Sequence, residues 1–259
     1  MKPKLTSIIK ISTLTICLGS SGAQATFVAA IFNDDTFVIG ADSRRMTEGG
    51  PVDDTFCKII VLTNQAVFTM LGVPSVAIGT QGLNIFDLNR QAAIGTTNLS
   101  EMARRFGSMA TSELNRINPQ LRTQFRRTSG YPVIAIGVYG GFDASGIPSL
   151  SVVRISHDEP SNNFIVLNQE RRSDTNAVIV FNLLNEANEI MRTEELAAIQ
   201  RNLTVPTAIR FAGAVATLIR QMILRRVNAE VGGVPTVLII ERGRGAYWFT
   251  RASTCPNLN

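Results

Sequence analysis

The chain has 259 residues, is 45% hydrophobic and 17% charged, and carries a formal charge of +5. Lys2, Lys4 and Lys10 supply three of those charges, and the rest of the chain holds 22 basic against 20 acidic side chains, so the bulk of the protein is close to neutral. With no dense basic run and no basic stripe interleaved with aromatic residues, nucleic-acid binding is not expected.

The first 25 residues have the three parts of a secretory signal peptide. Lys2, Lys4 and Lys10 form a positive start, Ile11 to Gly19 a short apolar centre, and Ser20 to Ala25 a small-residue end. Ala23-Gln24-Ala25 is the pattern after which signal peptidase cuts. Cys17 does not suit a lipoprotein cut, because Ile16 before it is too large. No run of 18 or more apolar residues follows, so no stable membrane insertion is expected once the signal is gone. The expected mature protein is one domain, residues 26–259, secreted or periplasmic, beginning with Thr26. Cys57 and Cys255 remain in it. An exported compartment permits a disulfide between them, and a buried free thiol at Cys57 is the equal alternative.

Taken in order, Thr26–Phe32 and Thr36–Ala41 read as two strands around the turn Asn33-Asp34-Asp35. Asp42 to Asp54 is a polar loop with Gly49-Gly50-Pro51. Lys58–Leu62 and Ala66–Leu71 form a second hairpin closed by Gly72. Pro74 to Ile94 is read as a helix, against the propensities of Gly79 and Gly82. Asn98–Asn118 is a stronger helix. Leu99, Met102, Ala103, Phe106, Met109, Ala110 and Leu114 share one face, Asn98 and Glu101 resemble a capping box, and Pro119 ends the segment. Strands follow at Tyr131–Tyr139, Ser149–Ile155 and Phe164–Leu167. Two helices come next, at Asn176–Arg192 and Pro206–Arg226, then strands at Thr236–Glu241 and Ala246–Thr250. Strands, two helices, strands, two helices, strands are best satisfied by two packed sheets with a helix pair on each outer face.

The chemistry is constrained first by what is missing. His157, in Ser156-His157-Asp158-Glu159-Pro160, is the single histidine and reads as a solvated loop residue. A His-rich zinc site is therefore impossible, and Cys57 with Cys255 has no metal-ligand spacing. No phosphate loop of the form GxxxxGK[ST] is present, and no GxGxxG follows a strand. No metal or cofactor is expected. An N-terminal threonine needs none of these, because its own α-amine, with a reference pKa of ~7.7–8.0, can take the proton of its hydroxyl. A lysine nearby lowers the hydroxyl's pKa, a carboxylate holds the lysine, and a glycine N–H stabilises the oxyanion. Lys58 is the only lysine after residue 25, and Asp42 and Gly72 also lie at strand ends.

Counted from Thr26, Asp42 lies 16 residues on, within Ala41-Asp42-Ser43-Arg44; Lys58 lies 32 on; and Gly72 lies 46 on, within Thr69-Met70-Leu71-Gly72. In these spacings and words the chain resembles a proteasome β-type subunit of the N-terminal-nucleophile hydrolase superfamily. The resemblance is specific over Thr26 to Gly72 and looser beyond. It implies an α+β fold, a four-layer αββα sandwich. It implies Thr26 as nucleophile and, through its amine, general base. Lys58 would tune the hydroxyl, Asp42 would orient Lys58, and Arg44 would be a supporting charge. The Gly72 N–H would stabilise the oxyanion, and Met70 would line the pocket for the residue before the cut bond. The substrate would be a peptide or other amide. Ring assembly of identical subunits is permitted by such a fold. Three departures mark this chain. A signal peptide stands in place of the family's propeptide. Asn228 and Val231 occupy the places where an Asp and a Ser support the new amine; an asparagine still hydrogen-bonds, and a valine does not. Ser173-Asp174-Thr175 is only a rough match to the family's other supporting serine. Three readings follow: an exported threonine-type peptidase, an inactive binding or assembly protein on the same fold, and a hydrolase of a non-peptide amide.

Overall fold

A computed structural model describes residues 12–13, 27–45, 52–72, 75–78, 81–125, 133–158, 160–173, 177–181, 207–225 and 231–258. These form an α+β arrangement of two large sheets, one small hairpin and three helices. In chain order the strands are β1 (Ser12–Thr13), β2 (Val28–Phe32), β3 (Thr36–Ala41), β4 (Ile59–Thr63), β5 (Ala66–Gly72), β6 (Ser75–Ile78) and β7 (Gln81–Asn84). Helices α1 (Leu88–Ala92) and α2 (Leu99–Phe125) follow, then β8 (Val133–Phe142), β9 (Pro148–Asp158), β10 (Asn163–Arg172) and β11 (Ala177–Phe181). The chain closes with α3 (Ala208–Leu224), β12 (Thr236–Glu241) and β13 (Gly245–Thr250).

One sheet has the order β1-β11-β2-β3-β12-β13, and the other β10-β9-β8-β5-β4. Pairing is antiparallel throughout both, apart from the two-residue β1, which lies parallel to β11. Side chains alternate along a strand, so one strand feeds two cores. Ala29 and Ile31 of β2, with Val38 of β3 and Val237 and Ile239 of β12, pack beneath α3. Val28, Ala30, Phe32, Phe37 and Ile39 point the other way, into a layer shared with Val67, Leu71, Val138 and Val152 of the second sheet. On that sheet's far face, Phe68, Tyr139 and Val153 pack against Leu99, Met102, Phe106 and Ala110 of α2. The stack is thus helix, sheet, sheet, helix, compatible with a sandwich. Because both faces of β2 and β3 are covered, every residue in them is buried, and they read as continuous rather than alternating apolar runs.

The α2 N-terminus has half of the expected capping box. Asn98 Oδ1 accepts from the N–H groups of Ser100 and Glu101 at 3.0 and 3.1 Å. Glu101 turns instead to Arg104 and Arg105, at 2.7 and 2.8 Å, and the two guanidiniums hold its carboxyl down to about 2. The helix continues through Pro119 to Phe125 rather than stopping there.

Three other expectations are corrected. Pro74–Ile94 is not one helix: Ser75–Ile78 pairs with Gln81–Asn84 as a hairpin, and among the described residues helix begins with a 3-10 turn at Ile85–Asp87 and continues as α1 at Leu88–Ala92. Gly79 and Gly82 weaken a helix here, and a short apolar run serves a strand equally well. Residues 177–181 of the expected Asn176–Arg192 helix are strand β11, its backbone paired to β2 from Ala177↔Phe32 to Phe181↔Val28, a β-rich sequence. Residues 182–192 lie outside those described. His157 is not a solvated loop residue. Strand β9 runs on to Asp158, and His157 is 1% exposed, edge-on to Phe164 at 5.2 Å between ring centroids.

Cys57 and Cys255 are joined by a disulfide that spans 198 residues and ties the start of β4 to the C-terminal tail. No described helix is long and apolar enough to cross a membrane.

Candidate active site

The described chain resumes at Phe27, immediately before β2, and the site is built around the peptide nitrogen that joins Thr26 to Phe27. That N–H donates to Asp42 Oδ1 at 2.9 Å, and the Asp42 N–H donates back to the Phe27 carbonyl at 3.2 Å. The β2–β3 register leads into this contact, since Val28 lies opposite Ala41 and the next pair out is Phe27 with Asp42. Thr26 itself lies outside the described residues.

Asp42 is fully buried. Its other oxygen, Oδ2, accepts from Lys58 Nζ at 2.9 Å, from the Gly232 N–H at 3.2 Å and from the Arg44 N–H at 3.3 Å. The Lys58 side chain is 7% exposed, so this is a buried ion pair. Removing two charges from water costs several kcal/mol per ion, and only good geometry with further hydrogen bonds offsets it. Three backbone N–H donors around one carboxylate supply those bonds. They orient the carboxylate, whose Oδ2 holds Lys58 Nζ. Neither residue is a solvated strand end or turn former.

Arg44 takes a different partner from the one its position suggests. Its guanidinium meets Asp54 in a two-point contact, Nε to Oδ1 at 2.6 Å and Nη2 to Oδ2 at 3.0 Å. That pair holds the Asp54 carboxyl below its ordinary range. Arg44 therefore contributes its backbone N–H to Asp42 and its guanidinium hydrogen bonds to Asp54, while its charge acts on both carboxylates. Ser43 completes the lock: its hydroxyl donates to the Asp54 carbonyl and accepts from the Val234 N–H at 2.8 Å. The Ser43 and Arg44 N–H groups both donate to the Gly232 carbonyl, at 3.2 and 3.1 Å. Gly233, at φ +75°, is where this loop needs glycine: a Cβ there would lie 2.5 Å from the Asp54 carbonyl oxygen.

Gly72 ends β5 with φ +96°, opposite Ala135 of β8. A Cβ there would meet the Ile134 carbonyl oxygen at 2.1 Å. Gly72→Ala is expected to lower the unfolding free energy by about 1–3 kcal/mol from backbone strain alone, with the contact adding to it; urea unfolding of the variant measures this. Met70, two residues earlier, is buried in the core beneath α2 with Phe68 and Ile85. It is not among the residues lining the cavity described below. Val231, 2% exposed, is packed with Phe211 and Val215 of α3 in the apolar core. Asn228 lies outside the described residues, and Ser173 is exposed at the end of β10.

The structure thus brings together Asp42, Lys58 and the backbone of Phe27, Arg44 and Gly232, with the Arg44 guanidinium hydrogen-bonded to Asp54 and near enough to Asp42 to feel its charge. Sequence reading missed Asp54 and the hydroxyl of Ser43. Ser43 was within reach through the Ala41-Asp42-Ser43-Arg44 words, whereas nothing local distinguishes Asp54 from its neighbour Asp53. Among the described residues no group of three or more His, Cys, Asp or Glu side chains is placed to hold a metal ion. Compared with protein-family models and with curated proteins, the sequence gives no match to either.

Proposed function

We propose that this protein is an exported hydrolase of the N-terminal-nucleophile kind, a threonine-type peptidase or amidohydrolase that becomes active when the signal peptide is removed. One observation carries the reading. The only lysine beyond the signal forms a buried pair with Asp42, and that carboxylate also binds the N–H of the Thr26–Phe27 peptide. A buried ammonium one residue from a free N-terminal threonine is the arrangement such a nucleophile requires. The cation favours the ionised hydroxyl, and the α-amine accepts the proton. The Thr26 oxygen then attacks the amide carbonyl, and the Gly72 N–H is the donor proposed for the oxyanion. The amine leaves with a proton from the α-ammonium, and water releases the acyl group from the ester. Cleavage after Ala25 would also remove β1, leaving β11 at its sheet edge. The disulfide suits export to a secreted or periplasmic site.

A second reading keeps the fold and drops the chemistry. Val231 favours it, because the side chain at that place is in the apolar core and offers the N-terminal amine no hydrogen bond. Intact-mass measurement and N-terminal sequencing of the exported protein are expected to give a chain that starts at Thr26. An electrophilic probe for N-terminal threonine should then add one equivalent, lost in Thr26→Ala. A different N-terminus sinks the threonine mechanism. The correct N-terminus with no adduct favours the scaffold. An adduct without cleavage of any peptide directs the search to non-peptide amides.

A further inference from the structure

A cavity of about 350 Å³ lies beside the disulfide, and Ile59, Ile60 and Val61 all line it. Consecutive strand residues point to opposite faces, so a cavity touched by three in a row runs along the strand's edge. Among the described residues β4 is the last strand of its sheet, so that edge carries backbone groups with no described strand beside them. No described backbone hydrogen bond links β4 to the C-terminal tail, whose Thr254 and Pro256 form the opposite wall. The result is a channel with one wall able to pair with an extended chain.

Its lining carries two arginines against one acid. Arg45 and Arg90 both reach it, and the Arg45 guanidinium lies over the Phe56 ring at 4.8 Å. The one acid in the lining, Asp87, already accepts from Asn84 Nδ2 at 2.6 Å. Phe56 and Phe86 give the channel an aromatic floor. Cations on an aromatic floor along an open strand edge select an anionic group carried on an extended chain.

We propose that the channel is a subsite for an extended peptide segment bearing an acidic side chain, its backbone added to the free edge of β4 and its carboxylate set against Arg45 and Arg90. Cys57 and Ile59, on either side of Lys58, line the channel. On the hydrolase reading, on which this assignment of substrate class rests, the segment held there belongs to the substrate near the cut bond.

The test is fluorescence anisotropy with rhodamine-labelled octapeptides of one β-forming sequence, with Glu, Gln or Lys at the central position. The Glu peptide should bind at least about tenfold more tightly than the Gln peptide, and less so at high salt. Arg90→Glu, on the exposed face of the short helix α1, should reverse the order in favour of Lys. N-methylating alternate backbone nitrogens of the Glu peptide should weaken it. Equal binding of the three peptides, no binding of any, or an unchanged order in Arg90→Glu overturns the proposal. Full competition by inorganic phosphate with no effect of N-methylation also overturns it, in favour of a plain anion site. Binding needs no turnover, so the two readings fail separately. Peptide cleavage without acidic preference removes this subsite alone; acidic preference without cleavage removes the hydrolase alone.

Discussion

Replacing Lys58 by methionine is expected, on the proposed hydrolase function, to slow hydrolysis by about 10²–10⁴-fold, and in any case to lower the unfolding free energy by about 3–5 kcal/mol. The two effects have separate causes. Methionine is close to lysine in volume, so packing beside Asp42 is largely kept. The charge is not, and Asp42 is fully buried. Among the described residues, a buried carboxylate that loses this cation keeps the N–H donors of Phe27, Arg44 and Gly232 and the more distant charge of Arg44. Adding Asp42→Asn to Lys58→Met removes the stranded charge. The double variant should regain part of the lost stability, because the stranded charge is gone, and not all of it, because the asparagine NH2 faces an N–H donor that the carboxylate accepted from. It should regain none of the hydrolysis, because the cation that favours the ionised threonine is still missing. Urea unfolding and peptide-cleavage rates on the wild type, both single variants and the double variant measure the cycle. A Lys58→Met protein that cleaves within about threefold of the wild-type rate would remove Lys58 from the chemistry. A double variant no more stable than the single one would show that the charge was not what mattered.

The second large effect is at the disulfide. Cys57→Ser with Cys255→Ser opens a closed loop of 198 residues. A bridge of that span constrains the unfolded chain strongly, and its loss should cost about 2–5 kcal/mol, a fall in melting temperature of about 5–15 °C for a chain this long. The loss is also local. Cys57 immediately precedes Lys58, and the tail bearing Cys255 is otherwise tied back by Trp248 Nε1 to the Pro256 carbonyl at 2.9 Å and by Thr254 to the Thr55 carbonyl. Freed from Cys57, the tail keeps its links to Trp248 and Thr55 and loses its covalent hold on the segment that carries Lys58. Cleavage should therefore fall together with stability. Thermal melts with and without a reducing agent check it: reduction should lower the wild-type melting temperature to that of the double-serine variant and leave that variant unchanged. A wild type indifferent to reduction would show that the bond contributes nothing.

How far the sequence was legible depended on how local the cause was. The start of α2 was readable because Asn98 caps it two and three residues on, and Leu99, Met102, Phe106 and Ala110 repeat at helical spacing. Strands β2 and β3 were readable because a turn and two β-rich runs lie within 14 residues of each other. Residues 177–181 were not, because what makes Ala177–Phe181 a strand is β2, about 150 residues earlier in the chain. The same holds for Ser75–Asn84, where a short apolar run suits either structure and pairing decides. His157 was misread for a related reason: its surroundings in sequence are polar, while Phe164, which covers it, arrives from the neighbouring strand.

By itself the sequence determined the composition of the candidate site. A small-residue cut point before Thr26, one lysine, and the intervals to Asp42, Lys58 and Gly72 are properties of the covalent chain and can be counted. Tertiary structure alone decided which atoms meet. Asp42 binds Lys58, 16 residues away, and Gly232, 190 away, while the Arg44 guanidinium beside it goes to Asp54. Hydrogen bonds act over about 3 Å and in fixed directions. A spacing in sequence cannot supply that precision until the strands have paired and the Gly232 loop has closed on them.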